Sequence, residues 1–263
     1  MKPLVEAELH RVTTVFTDVD GTLTSGGRLA SATLRAVEWL VSHRVEVVLV
    51  SGRPSGWGEC WARELPVAGA IVENGGLYYA KDQGGGLKKV FAQPLPERRK
   101  ARAKLQTVVD AALAAVRGAR LSSDSHSREV DLAIDYAEDA ALGPRGADRL
   151  EAFMHAHQVR AVRSSVHVNC WVGGFDKRSM VRHFLRRERG TVLAPDDRRF
   201  VYVGDSFNDA PLFDAFPLSV GVANVREVLD TLEHRPKFVT RGREGKGFNE
   251  VADAVVRARR RRR

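Results

Sequence analysis

Short β-branched, apolar runs alternate with segments whose apolar positions recur at helical spacing, and two of those runs end on an aspartate. The first run, Val12–Asp18, reads as a buried strand, followed by a glycine-rich turn and a helix over Ser31–Leu40 with Leu34, Val37, Leu40 and Val41 on one face. Val45–Ser51 reads as the next strand, broken by Gly52-Arg53-Pro54; a helix over Trp57–Leu65 and a third strand, Ala70–Val72, lead into Glu73-Asn74-Gly75-Gly76. The same rhythm returns late in the chain. There Lys177–Arg187 reads as a helix, Phe200–Asp205 as a strand, Asn208–Ala215 as a helix, Leu218–Val222 and Lys237–Val239 as strands, and Gly247–Arg257 as a closing helix. Strands alternating with helices predict an α/β fold, a doubly wound parallel sheet covered on both faces.

Between Tyr78 and Trp171 the texture differs. Gly84-Gly85-Gly86 marks a hairpin turn between two strand-like runs, a long helix is expected over Glu97–Val116, and another over Ala147–His157. Val130–Tyr136, Val159–Val162 and Val166–Val172 alternate as strands of an antiparallel sheet. An inserted α+β module is therefore expected at residues 81–172, with 1–80 and 173–263 forming the main domain and 257–263 a basic tail. The 263 residues, 43% hydrophobic and 29% charged, suffice for both.

No apolar run reaches the roughly 18 to 20 residues of a membrane span, and the polar opening lacks a signal-peptide core, so a cytoplasmic protein is expected, with no membrane partner. Cys60 and Cys170 lie in apolar surroundings without disulfide or zinc spacing, and both are expected to be core thiols. The formal charge of +9 would suit nucleic acid, but six of the last seven residues are arginine. Taking these six from the 42 basic side chains leaves 36 against 33 acidic, so the body is nearly neutral and nucleic acid is not the expected partner.

In an open parallel sheet, ligands bind beyond the carboxyl ends of the strands. Those ends here carry Asp18 and Asp20, Ser51, and Asp205 with Asp209 just beyond. Crowded carboxylates repel unless a cation lies among them, and oxygen ligands without His or Cys favour Mg²⁺, the usual partner of phosphate chemistry. Ser51, Lys177 and the backbone N–H groups near Gly52 are natural donors to phosphate oxygens.

Each motif alone is common in turns and helix starts; their order along the chain is not. Asp18-Val19-Asp20-Gly21-Thr22-Leu23 after one strand, Ser51-Gly52-Arg53 after the next, Lys177 opening a helix, and Gly204-Asp205-Ser206-Phe207-Asn208-Asp209 after a late strand resemble the four motifs of the haloacid dehalogenase superfamily. Glu73-Asn74-Gly75 and the α+β insertion are similar to the Cof-type branch, whose sheet-bearing cap is found in sugar-phosphate phosphatases. That resemblance covers nearly the whole chain. It implies Mg²⁺-dependent hydrolysis of a small phosphorylated metabolite, with Asp18 as the nucleophile that becomes an aspartyl-phosphate and Asp20 as general acid/base. It further implies that Asp18, Asp205 and the Asp20 carbonyl hold Mg²⁺, that Asp209 and Asn208 orient that shell, and that Ser51 and Lys177 hold the phosphoryl oxygens. A second acid at Asp20 favours phosphoryl transfer over dehalogenation. A phosphomutase would use the same residues, and a non-catalytic binding protein carrying the arginine tail is the competing class.

The remaining candidates divide between function and packing. Gly52, Arg53, Asn74 and Asn208 are candidate substrate contacts, with a salt bridge for Arg53 and a turn cap for Asn74 as the alternatives. His167 and Asn169 alternate on a strand and could face the cleft, although a structural histidine is the simpler reading. Trp57 and Trp61 are expected to form a packed helix face, and His155 and His157 to lie on the surface. Asp124, Asp131 and Asp135 carry no motif and are expected to be solvated. Mobile linkers are expected near Ala80 and Gly173-Gly174.

Overall fold

The computed structural model describes residues 1–82 and 84–261; Gln83, Arg262 and Arg263, the last two belonging to the expected basic tail, lie outside the described residues. The chain begins with β1 (Lys2–Pro3), β2 (Thr14–Thr17), helix α1 (Ser31–Ser42), β3 (Glu46–Val50), α2 (Ser55–Glu64), β4 (Gly69–Val72), β5 (Leu77–Lys81) and β6 (Leu87–Phe91). A second module follows: α3 (Leu95–Ala115), β7 (Arg120–Leu121), β8 (Leu132–Asp135), α4 (Gly143–Ala156), β9 (Arg160–Arg163) and β10 (His167–Trp171). The chain then returns through α5 (Lys177–Arg189), β11 (Phe200–Gly204), α6 (Ala210–Ala215), β12 (Leu218–Gly221), β13 (Phe238–Val239) and α7 (Glu244–Arg260).

The large sheet has the order β1-β13-β12-β11-β2-β3-β4-β5-β6, parallel from β1 to β4 and antiparallel across β4-β5-β6. Successive strand residues point to opposite faces, which is why the strands read as continuous apolar runs. Val15, Val47 and Val201 pack with α1, α2 and α7 on one face, while Phe16, Val48 and Tyr202 pack with α5 and α6 on the other. Phe16 meets Phe184, Phe200 and Phe216 edge-on, with ring centroids 5.6–6.2 Å apart.

Hairpin β5-β6 corrects one expectation. It extends the large sheet through Phe91, past the boundary at residue 80, because Leu77, Tyr78, Tyr79 and Ala80 are apolar on both faces and pair with β4. Ala80 is therefore no hinge: it is buried and paired with Gly69 and Lys88. The chain enters the second module at residues 92–94 instead, and its return at 172–176 is fastened where Arg160 Nη1 and Trp171 Nε1 both donate to Phe175 O at 2.9 Å. Cys170 is buried as expected, and burial pushes its thiol up, but Cys60 is exposed on the outer side of α2.

The smaller sheet, β7-β8-β10-β9, is antiparallel and has helices on one face only. Leu132, Ile134, Val168 and Cys170 point towards α3 and α4, where Leu105, Val109, Leu150 and Met154 complete a core. By the two-residue period, Asp131, Asp135, His167, Asn169 and Trp171 point the other way, towards the large sheet.

The two modules are joined by a buried seam at Glu73. Its carboxylate accepts the backbone N–H of Ser55, Glu129, Val130 and Asp131 at 2.6–2.9 Å. Glu73 and Asn74 hold left-handed backbone, φ 48° and 53°, a strain that these bonds maintain. Burial, with the charge of Asp131 and against the N–H groups and Arg128, pushes the Glu73 carboxyl up to about 7. The folded protein thus keeps a proton that the unfolded chain releases near 4.5, and this group's stabilisation, full below that value, is lost as pH rises through 7. Glu73→Gln turns an amide N–H towards donors and should cost about 2–4 kcal/mol at pH 7. In urea titrations the wild type should lose stability between pH 5 and 8 more steeply than this variant.

Candidate active site

The site is built where β2 and β11, neighbours at the centre of the sheet, reach their carboxyl ends. Asp18 N–H donates to Val203 O at 2.8 Å, so the ladder runs one residue past β2 and sets Asp18 beside the loop that carries Asp205. The turn after Asp18 is tied by its own threonine: Thr24 Oγ1 accepts Gly21 N–H at 3.1 Å and donates to Val19 O at 3.2 Å. Thr22 Oγ1 and Asn224 Nδ2 each donate to Asp205 at 2.8 Å, one to each oxygen.

Lys177 is the first residue of α5, whose start is fixed by a capping box in which Asp176 accepts Ser179 N–H at 2.6 Å. Gly75 lets the loop after β4 press against that start, because a Cβ there would fall 2.2 Å from Asp176 O. The Lys177 ammonium is buried and donates to Asp18 Oδ1 at 2.8 Å and Asp209 Oδ1 at 2.7 Å. Burial disfavours its charge, but the two carboxylates outweigh that and hold Lys177 above its ordinary value. Asp209 is fully engaged. Its Oδ1 also accepts Tyr202 OH at 2.5 Å, and its Oδ2 accepts the N–H groups of Asp205 and Ser206 at 2.9 and 3.0 Å.

Asp18, Asp205 and Asp209 offer oxygens that all lie within 4.8 Å of one another. Three carboxyl groups face one ammonium, so full ionisation would leave two negative charges in a buried place. Burial, opposed by Lys177 and aided by Asp209 and Asp20, pushes Asp18 up to about 7, and burial with the charges of Asp18 and Asp209 holds Asp205 well above the usual carboxylate range. A hard, all-oxygen donor set with that excess charge fits a divalent cation such as Mg²⁺.

The other candidates form a continuous layer over this cluster. Asn208 Nδ2 donates to Asn74 Oδ1 at 3.2 Å, and Asn74 Nδ2 to Asp131 Oδ2 at 3.1 Å. Ser51 Oγ accepts Arg53 N–H at 3.0 Å, and Ser51 O accepts Asn74 N–H at 3.1 Å. Arg53 makes the ion pair foreseen as its alternative reading: Nε and Nη2 hold Asp20 at 2.9 and 3.0 Å, while Glu138 and Asp124 of the second module lie at 2.7 and 3.4 Å.

Asp124, Asp131 and Asp135 are buried, not solvated: Asp131 meets Asn74 of the large domain, Asp124 lies between Arg53 and Arg128, and Asp135 is enclosed by residues 137–140. Arg128, buried between Asp124 and Asp131 at 3.2 and 2.7 Å, also donates to Gly52 O at 3.0 Å. Asp135 is spent within its own module, accepting backbone N–H groups of Ala137, Glu138, Asp139 and Ala140. His167 faces the cleft with Nε2 2.8 Å from Glu138 Oε2. Trp57 meets Trp61 edge-on, yet it remains 43% exposed with the Arg53 guanidinium 4.8 Å above its ring. His155 and His157 are exposed, as expected. Sequence reading missed Thr22, Tyr202 and Asn224, whose only signal is proximity to a motif, and Glu73, Arg128 and Glu138, whose spacing carries none.

The doubly wound core thus carries paired aspartates, a serine loop, a lysine and an acidic loop at adjoining strand ends. A family model described as haloacid dehalogenase-like hydrolase matches residues 15–102, about a third of the chain. No curated protein matches it. Among solved structures it is similar to the C-terminal domain of a trehalose-6-phosphate phosphatase from C. albicans, at 15% identity over 97% of this chain and 98% of that one, with a TM-score of 0.70. The sucrose-phosphatase of Synechocystis is 14% identical over 94% and 98%, with a TM-score of 0.63. A HAD/COF-like hydrolase of Plasmodium vivax is 15% identical over 95% and 98%, with a TM-score of 0.67. At these identities the likeness concerns the fold. Among the described residues no helix is long and apolar enough to cross a membrane.

Proposed function

We propose that this protein is a Mg²⁺-dependent phosphatase of small phosphomonoesters, a sugar phosphate or similar metabolite, working through an aspartyl-phosphate. The observation that carries this reading is the buried carboxylate of Asp18, held by Lys177 in a cluster of three carboxyl groups around one ammonium at the end of the central strand. The named activities of the structural neighbours, trehalose-6-phosphate and sucrose-phosphate hydrolysis, support the substrate class.

Asp18 attacks phosphorus, and the ester oxygen leaves with the proton delivered by Asp20. Arg53 holds both Asp20 oxygens, orienting that carboxyl group. Lys177, Ser51 and the Gly52 backbone contact the phosphoryl oxygens as their charge spreads, while Asn74 and Asn208 line the leaving-group side. Asp20 then takes a proton from the water that hydrolyses the acyl-phosphate. Asp18, Asp205 and the Asp20 carbonyl would hold Mg²⁺, which supplies positive charge to the phosphoryl oxygens. Asp209, saturated by four donors, positions Lys177 and the Asp205 loop. The second module acts as the cap that excludes water and selects the leaving group.

The test is phosphate release from a panel of phosphomonoesters with and without Mg²⁺. Turnover should require the ion and fall to background with excess EDTA. Mg²⁺ should also raise the melting temperature, by a few degrees at 100 times its Kd. Metal-independent turnover, or a folded protein silent across the panel, counts against the proposal.

A further inference from the structure

The face of the cap turned to the core carries a buried amide that is not matched. Asn169 is 1% exposed, and among the described residues neither its Nδ2 nor its Oδ1 has a hydrogen-bond partner. Its strand neighbours Val168 and Cys170 point into the cap's own core, so Asn169 must point at the large domain. It does so at Gly52, where a Cβ would come 3.3 Å from Asn169 Nδ2 and 3.1 Å from Asn74 Oδ1. Arg128, whose Nη1 reaches Gly52 O, has a second buried nitrogen, Nη2, also without a partner. A cleft of about 640 Å³ opens nearby, lined by Asn74, Lys177, Asn208 and Trp171, the next residue on the Asn169 face of β10; Asn169 and Arg128 themselves are not in its lining, and Asn74 is the residue that the cleft and the Gly52 contact share.

Buried amides left unpaired are costly, and a protein that keeps one beside its reaction centre presents it to something that binds there. The free groups are two donors, Asn169 Nδ2 and Arg128 Nη2, and one acceptor, Asn169 Oδ1. An anionic group supplies acceptors only and would leave Oδ1 unpaired; an alcohol supplies both. Charge points the same way. The Arg53 and Arg128 guanidiniums are already paired with four carboxylates, Asp20, Asp124, Asp131 and Glu138, so neither has charge to spare for a second anion on the substrate.

We propose that Asn169, with Arg128, is the specificity-determining contact for hydroxyl groups of an uncharged, polyhydroxylated leaving group, and that esters bearing a second anionic group are selected against. This rests on the phosphomonoesterase reading, whose site supplies the phosphoryl end of the ligand.

The test is calorimetric titration of Asp18→Asn protein, which needs no turnover, with hexose and disaccharide monophosphates, phenyl phosphate and fructose 1,6-bisphosphate. At least one hydroxyl-bearing monoester should bind about tenfold or more tighter than the other two probes, and adding Asn169→Leu should lower that preference roughly 10- to 100-fold. Asn169→Leu should at the same time raise the melting temperature of the unliganded protein, since it removes an unmatched buried amide; a structural asparagine would lower it. Absence of the preference, or its survival in Asn169→Leu, overturns the assignment. Binding with the predicted preference but without turnover by the wild type would refute the hydrolytic reading alone, and turnover without the preference would refute this one alone.

Discussion

Asp18→Asn is expected to abolish phosphate release from every substrate the wild type accepts, lowering kcat by at least about 10⁴-fold, the scale on which loss of a covalent nucleophile is felt. An amide of the same shape neither attacks phosphorus nor carries a phosphoryl group through hydrolysis. The fold survives the change because Lys177 keeps Asp209, at 2.7 Å, and the Asp18 backbone keeps its bond to Val203. Burial raises the Asp18 carboxyl against the pull of Lys177, with Asp209 and Asp20 adding to the rise, so removing its charge removes a desolvation cost in the metal-free protein. Urea unfolding without Mg²⁺ should therefore give a stability equal to or above that of the wild type. Steady-state phosphate release by matched preparations decides it: retention of more than about one hundredth of the wild-type rate would remove Asp18 from its role.

Lys177→Ala should be the most damaging substitution for the protein as a whole. The ammonium is the counter-ion of Asp18 and Asp209, and Asp205 lies in the same cluster. Removing one partner from a buried ionic cluster costs about 3–5 kcal/mol, because the remaining charges keep their desolvation cost. Turnover should fall by about 10²- to 10³-fold as well, the loss expected for one donor to a developing phosphoryl charge. The stability loss has a definite pH sign. Without Lys177 the carboxyl groups, already raised by burial, rise further, so the folded variant takes up protons that the unfolded chain does not hold. Its deficit against wild type should be smaller at pH 5 than at pH 8, and Mg²⁺ should recover more stability at pH 8. Urea titrations at both values, with and without the ion, measure this. A deficit independent of pH would mean that Lys177 acts through its aliphatic packing and not its charge.

What could be read from the chain follows how local each signal is. Val12–Asp18 and Phe200–Asp205 are contiguous runs whose apolar pattern, strand ending and terminal aspartate depend on a few neighbouring residues, and the structure brings their ends together as adjacent strands. Lys177 was legible because it opens a helix with its own capping residues. Hairpin β5-β6 was divided between modules because a hairpin reads the same wherever it docks; only pairing with β4 assigns it to the large sheet. Asp124 and Asp131 carry no local sign of their burial on the same ground, since a carboxylate's burial is decided by what covers it and not by its neighbours in sequence.

The amino-acid sequence by itself determined the α/β core and the inserted α+β module, because strand periodicity is a short-range property, and it marked Asp18, Asp20, Ser51, Lys177, Asp205 and Asp209 as candidates because they cluster at strand ends or open a helix. Only the tertiary structure decided that Arg53 clasps Asp20 with Glu138 and Asp124 of the cap, that Glu73 ties the two modules, and that Asn169 points unpartnered at Gly52. Those contacts join residues 33 to 117 positions apart, and their energies depend on burial and charge that exist only once the cap sheet is closed over the core.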